Sequence, residues 1–364
     1  SGAARREYFA PIVLGSGGEG SVAIVTSAGL DNGSTRYRGL NLGHSLDALK
    51  ISSALFHSAT SMDEFEAGLE KADTVIFQRC FRAQENVGAM FELARRKGKR
   101  CVMEIDDLVF PEFLSIIGSV VGGEWNYKEA LSVSTAYKAF MDDMDGAITS
   151  TELLRSIVAD RWSVPVALYR NRVQDVETDL VPRSDNSLRM IYASGTYSHK
   201  EDFMLAASSI KEVLTDFPYA KLSLLGATQV PSDLLGMANV SSYPLLPYKT
   251  MLSFVGQHNL MLVPLADNLF NHAKSSVKFV EAASVGVPVL ASDVREYAAA
   301  ISEGANGFLA SNVDEWKHKL KYLAQNPDIL GRIGAEARDF VARDYNCFLL
   351  DEKTIKSLKS VIFG

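Results

Sequence analysis

Along the chain, short apolar runs alternate with longer amphipathic stretches. Val22-Ala23-Ile24-Val25, Thr74-Val75-Ile76-Phe77, Cys101-Val102-Met103-Glu104-Ile105 and Gly146-Ala147-Ile148-Thr149 have strand length. Between them, spacing at helical period predicts helices over 36–49, 84–96 and 128–141. The rhythm breaks at 173–187, which is rich in Asp, Pro, Ser and Asn and reads as a linker. It then restarts. Strands are expected at Met190-Ile191-Tyr192-Ala193, Leu222-Ser223-Leu224-Leu225, Leu260-Met261-Leu262-Val263 and 287–291, with helices over 202–214, 250–257, 275–285 and 313–324. Runs with little polar alternation suit strands buried on both faces of a parallel sheet. The expected fold class is therefore α/β, with two doubly wound, Rossmann-like domains facing across a cleft at their carboxyl strand edges. The expected division is a lead-in (1–20), a first domain (21–172), the linker (173–187), a second domain (188–345) and a C-terminal helix (346–364) packing back on the first domain. The lead-in glycines, Gly15 to Gly20, lack a preceding strand and a lysine, which argues against a phosphate loop.

Composition narrows the function classes. A formal charge of −7 over 364 residues argues against a general nucleic-acid binder. Cys80, Cys101 and Cys347 are widely spaced, so neither a disulfide framework nor a zinc site is expected, and a reducing compartment fits. No apolar run approaches the roughly 20 residues of a membrane span. The opening Ser1-Gly2 is expected of a chain cut from something longer.

The richest chemistry lies between Pro264 and Val289, which reads strand, loop, helix, strand. Ser275 or Ser276 can cap the helix, and Gly286 followed by Pro288 can stop it. At about 100° per residue, Lys274, Lys278 and Glu281 share one helical face. A helix start with unpaired N–H groups and lysines suits a diphosphate, and a carboxylate two turns on can accept hydrogen bonds from ribose hydroxyls. For an arbitrary helix, solvated lysines and a salt-bridged glutamate would be the ordinary reading.

The whole string resembles the retaining glycosyltransferases of the GT-B fold, close to glycosyltransferase family 4. Those enzymes carry E-x7-E followed by G-x-P-V, and Glu281 with Gly286-Val287-Pro288-Val289 matches the second half. Phe270, Asn271, Lys274, Ser275, Lys278 and Glu281 also fit the F-N-x-x-K-S-x-x-K-x-x-E wording of bacterial polysaccharide and O-antigen transferases. Ala273 stands where the family's first glutamate would touch the donor sugar. After the first strand of the second domain, Gly195, His199 and Asp202 resemble G-x-x-x-H-x-x-D, with Thr196 in place of the usual Arg and Lys200 near the usual Lys. The resemblance implies a donor site of Gly195, Thr196, His199, Lys200, Asn271, Ser275, Ser276 and Lys278, with Lys274 and Glu281 active in catalysis. Tyr248, in the loop after Tyr243-Pro244-Leu245-Leu246-Pro247, could stack on the base or simply pack.

In the first domain the resemblance is thinner. Arg36-Tyr37-Arg38 resembles an S-x-Y-R stretch. Arginines near a helix start oppose the macrodipole at about 0.3–1 kcal/mol, which suits gripping an anion. Arg36, Tyr37, Arg38 and Arg79 are the expected acceptor-side residues. Glu104-Ile105-Asp106-Asp107-Leu108 resembles D-x-D-D-L. Adjacent carboxylates repel and need a partner, and Asp106 or Asp107 is expected to meet the acceptor hydroxyl or sugar. Asp143-Met144-Asp145 has metal-motif spacing but reads as a solvated helix end. No metal and no cofactor is expected, because the GT-B resemblance implies charge supplied by helix dipole and lysines.

The resemblance thus implies a metal-independent, retaining hexosyltransferase. It would move sugar from a nucleoside-diphosphate donor to a glycan or lipid-linked acceptor in bacterial surface polysaccharide or lipopolysaccharide synthesis. The expected location is cytoplasmic, with peripheral association at the inner membrane face and membership of a longer multidomain protein as further expectations. The alternative is a non-catalytic module of the same fold that binds sugar nucleotide or glycan within a larger assembly protein. An oxidoreductase would need G-x-G-x-x-G after a strand, and none is present.

Overall fold

The computed structural model describes residues 10–15, 18, 20–176, 187–195 and 200–364. The chain divides into two compact units. The first holds the described residues of Ser1–Ser115, Asn126–Gln174 and Asn346–Gly364, and the second Ile116–Trp125 and Asp175–Tyr345.

The first unit contains β1 (Ile12–Val13), β2 (Ser21–Thr26), β3 (Ser52–His57), β4 (Thr74–Gln78), β5 (Arg100–Ile105), β6 (Gly146–Thr149) and β7 (Val166–Leu168). They form one sheet in the order β1-β3-β2-β4-β5-β6-β7, parallel except for β1. Helices α1 (Asn41–Ala48), α2 (Met62–Leu69), α3 (Val87–Arg96), α4 (Tyr127–Met141) and α5 (Glu152–Arg161) connect them. A π-helical turn, Thr35–Leu40, leads into α1. β4 and β6 are buried along their whole length, as their unbroken apolar runs require. The core on one face joins Val22, Ile24, Ile76, Val102 and Ile148 to Leu42 and Leu46 of α1 and to Leu358, Val361 and Ile362. The last three lie on the C-terminal helix, Glu352–Phe363. Each contributes about 1.5–3 kcal/mol of gross apolar burial. Two bonds to that helix's carbonyls fix it: Thr74 Oγ1 to Ile362 O at 2.5 Å and Arg100 Nε to Val361 O at 2.7 Å.

The second unit contains β8 (Leu188–Ser194), β9 (Ala220–Gly226), β10 (Val240–Tyr243), β11 (Leu260–Val263), β12 (Val289–Ser292) and β13 (Phe308–Ala310). The sheet is parallel, in the order β10-β9-β8-β11-β12-β13. Its main helices are α6 (Lys200–Asp216), α7 (Tyr248–Val255), α8 (Leu269–His272), α9 (Val277–Ser284), α10 (Arg295–Ala300), α11 (Val313–Gln325) and α12 (Ile329–Asp344).

Gly286 ends α9 at φ +71°. Val287 N–H bonds to Ala282 O and Gly286 N–H to Ala283 O, both at 2.9 Å, which is a Schellman stop. A Cβ on Gly334 of α12 would lie 2.0 Å from Gly286 O, so glycine there lets α12 approach the end of α9.

Both sheets reverse winding direction once away from their edges: between β2 and β4 in the first unit, and between β8 and β11 in the second. In such folds ligands bind outside the carboxyl ends of the strands flanking that reversal.

Candidate functional site

In the second unit the reversal lies beside Ser194, Gly195 and the loop after Val263. An added Cβ on Gly195 would meet nothing within 4 Å. Thr196 and His199 lie outside the described residues, as does the side chain of Lys200. Asp202, in the first turn of α6, is 5% exposed. Its Oδ1 accepts hydrogen bonds from Ala266 N at 2.8 Å and Asn271 Nδ2 at 2.7 Å. Asn271 Nδ2 also donates to Ala266 O at 2.9 Å. Asn271 is therefore placed otherwise than expected. At 2% exposure it fastens the β11–α8 loop to α6, and only its buried Oδ1 lacks a partner.

Lys274 is also displaced from the expected helical face. It lies in the link between α8 and α9, with Nζ 4.3 Å from the Phe270 ring centroid. Ser276 occupies the N-cap position of α9, but its side chain makes no capping bond there. Its backbone (φ −79°, ψ 34°) and 4% exposure explain why.

Lys278, in that first turn, places Nζ 5.6 Å from the Tyr192 ring centroid. Burial pushes the Lys278 ammonium down to about 8, and the neighbouring Lys274 pushes the same way. Asp202 and Glu281 oppose the shift more weakly. Glu281 follows on α9, half-buried. Burial, then the Glu281 carboxylate, raise the Tyr297 phenol above its ordinary range. Tyr248 is half-buried and begins α7, with Pro247 at the N-cap position, so it is a helix-start residue and not a loop residue.

At the reversal of the first unit, Thr26 Oγ1 donates to Gln78 Oε1 at 2.7 Å. The next residue, Arg79, turns out of β4 at φ +48°. Its Nη1 lies 3.3 Å from Asp106 Oδ1, and Ser34 Oγ hydrogen-bonds Asp106 Oδ2. The Asp106 carboxylate, and more weakly that of Asp107, raises the Arg79 pKa beyond its ordinary value, against burial. Asp107 Oδ1 instead accepts the N–H of Leu108 at 2.9 Å, a local turn bond. Of the two adjacent acids, Asp106 is the one organised from outside its own turn.

Arg38 is a correction to the acceptor set. It is fully buried, with Nε 2.6 Å from Glu104 Oε1 and Nη1 bonded to Tyr169 O at 2.5 Å and Asn171 Oδ1 at 3.1 Å. It lies in the π-helical turn, whose Thr35, Tyr37 and Gly39 are buried with it. Tyr37 is 5% exposed and belongs to the core, whereas Arg36 is half-buried. Burial raises the Glu104 carboxyl to about 7, opposed by Arg38.

Asp143 and Asp145 are not simply solvated: they pair with Arg82 at 2.9 Å and Arg95 at 2.7 Å. Among the described residues no cluster of three or more His, Cys, Asp or Glu could hold a metal, and the three cysteines are buried and form no disulfide. No described helix is long and apolar enough to cross a membrane.

Sequence reasoning left Tyr192, Tyr297 and Ser34 out of the site. Nothing in their local sequence marks them; packing brings them there. Asp202 had a signal in the G-x-x-x-H-x-x-D wording.

Residues 203–348 match a family model described as Glycosyl transferase-like. No curated protein matches the chain. Among solved structures, a glycosyltransferase from Rickettsia africae is similar at TM-score 0.60 and 11% identity, over 94% of this chain and 99% of that one. HepE of Anabaena, solved with UDP-glucose, gives 0.59 and 11% over 94% and 100%. TarM, a protein of S. aureus, gives 0.58 and 14% over 80% of this chain. The fold is GT-B. The chain spans about half the length of TarM, 55%. At these identities the likeness carries the two Rossmann-like units of that fold, and the family match falls on the stretch that contains Lys274, Lys278 and Glu281.

Proposed function

We propose that the chain is a retaining, metal-independent glycosyltransferase that takes hexose from a nucleoside-diphosphate sugar. The observation that carries this reading is the grouping of Lys274, Lys278 and Glu281 at the start of α9, beside the winding reversal of the second sheet. The first-turn N–H groups of α9 and two ammonium groups stabilise a leaving diphosphate, where charge develops as the glycosidic bond breaks. Glu281 accepts hydrogen bonds from ribose hydroxyls. Gly195 leaves room for the phosphates at the tip of β8, and Thr196, His199, Lys200 and Ser275 complete the donor set. Tyr248 lies toward the base. Asp106 accepts a hydrogen bond from the acceptor hydroxyl, which attacks on the face the diphosphate leaves. The acceptor is a glycan or lipid-linked sugar of a bacterial surface polysaccharide, met at the cytoplasmic face of the membrane.

HepE was solved with UDP-glucose and TarM with UDP. A uridine nucleotide is therefore the first donor to test. Calorimetry with UDP and UDP-glucose should show binding that falls at least tenfold in Glu281→Ala and Lys274→Ala. Wild-type affinity in both variants would sink the assignment.

One observation favours a second reading, a sugar-nucleotide-binding module without transfer. The position of the family's donor-sugar acid is Ala273, fully buried. Nucleotide binding with neither transfer nor hydrolysis across UDP-, GDP-, dTDP- and ADP-sugars would select that reading.

A further inference from the structure

Arg79 sits in a left-handed backbone conformation, φ +48°, that side chains other than Asn and Asp rarely adopt. Three bonds hold it there. Its N–H donates to Glu104 O at 2.9 Å, its carbonyl accepts the Tyr137 hydroxyl at 3.2 Å, and its guanidinium pairs with Asp106. If the turn alone mattered, glycine would serve there without strain. The guanidinium has a second setting to account for: it contacts Asp106 and lies within electrostatic range of Asp107 and Glu104. Arg38 is committed to Glu104 in the interior, which leaves Arg79 to neutralise the Asp106–Asp107 pair.

The Asp106 carboxylate is gripped from two directions. Arg79 holds Oδ1 from the end of β4, and Ser34 holds Oδ2 from the turn that follows β2. Its backbone carbonyl accepts Ser150 Oγ at 3.0 Å from the end of β6. A carboxylate has about four acceptor directions, so two braced oxygens still have capacity for a ligand hydroxyl. Asp106 keeps a side-chain exposure of 13%, so it is held but not sealed.

We propose that Arg79 and Ser34 are positioning residues, a two-sided brace that fixes the Asp106 carboxylate for hydrogen bonding to the acceptor hydroxyl. Arg79 then acts on the acceptor through Asp106 and does not itself bind it. This rests on the transferase reading above. The brace serves orientation, because a hydroxyl must be held in near-attack geometry for the transfer step but not for attack by bulk water.

The test uses the full chain with UDP-glucose, comparing transfer to a sugar acceptor with hydrolysis of the same donor by water. Variants are Arg79→Gly, Ser34→Ala, Asp106→Asn and the double variant Arg79→Gly with Asp106→Asn. Glycine suits the backbone at 79, which guards against misfolding. The expected result is a transfer kcat at least tenfold lower in Arg79→Gly and Asp106→Asn, with the double variant no worse than Asp106→Asn alone. In Arg79→Gly and Ser34→Ala, hydrolysis and the Kd for UDP should stay within twofold of wild type. Millimolar guanidinium should restore part of the transfer in Arg79→Gly and none in Asp106→Asn. Additive losses, an equal fall in hydrolysis, weakened UDP binding or no guanidinium rescue would each overturn the brace. A wild-type chain that binds UDP but neither transfers nor hydrolyses overturns the transferase reading itself, a separate outcome.

Discussion

Raising the pH from 7 to 9 should loosen nucleotide binding about tenfold. Lys278 sits in the first turn of α9, and burial with its neighbour Lys274 lowers its ammonium to about 8. An unperturbed lysine, near 10.4, would stay charged throughout this range. With a value of about 8, about nine-tenths of Lys278 is charged at pH 7 and about one-tenth at pH 9. If only the charged form grips the diphosphate, affinity falls by the same ratio, about 1.4 kcal/mol. The terminal phosphate, with a second pKa of about 6, is already ionised and does not contribute to the slope. Isothermal calorimetry with UDP at pH 7, 8 and 9 reads the change directly. Repeating pH 8 in buffers of different ionisation enthalpy should show uptake of about half a proton. Lys278→Arg stays charged and should bind with little pH dependence. The folding contribution of Lys278 has the opposite sign. Its folded pKa lies below the unfolded value, so that contribution is present above the unfolded pKa and lost as pH falls through about 8. Alkaline pH should therefore weaken UDP binding without lowering the apo melting temperature through this residue. A wild-type Kd that is constant from pH 7 to 9 would refute the pairing of a shifted Lys278 with the diphosphate.

Other perturbations test the frame that holds the site. Arg38→Met leaves the Glu104 carboxylate buried without its partner and should cost about 3–5 kcal/mol in urea unfolding; adding Glu104→Leu should recover most of it. Gly334→Ala should destabilise by about 1–3 kcal/mol or more, since the new Cβ would lie 2.0 Å from Gly286 O; thermal melting reads this. His57 has a folded pKa below 6.5, mainly through burial, so its contribution is present above that value and lost as pH falls through the folded pKa. The melting temperature of His57→Gln should therefore fall less between pH 7.5 and 5 than that of wild type.

What the sequence makes legible is set by how each segment is buried. β2, β4, β5 and β6 lie in the middle of their sheet and are apolar almost without interruption, so periodicity finds them. β3, with Ser52, Ser53 and His57, and β10, with Ser241 and Ser242, lie toward the sheet margins, where polar residues are tolerated, and they carry no such run. β7 and β13 are only three residues long. The same logic divides the site. Lys274, Lys278 and Glu281 are legible because one short segment carries them all. Local spacing nevertheless misassigns Lys274 to a helical face, since α8 and α9 are separate helices joined by a link that periodicity reads through. Arg38 is misread for a different reason. Its charge suggests a ligand, but the ligand is another part of the same chain: Glu104, 66 residues away, and the Tyr169 carbonyl, 131 away. Arg79 has the opposite signature, a strained backbone and a half-exposed guanidinium held against a carboxylate that keeps acceptor capacity. A sequence shows two arginines near strand ends. Only the fold separates the one that closes an interior charge pair from the one proposed to serve the site, by whether the carboxylate it meets can still reach a ligand.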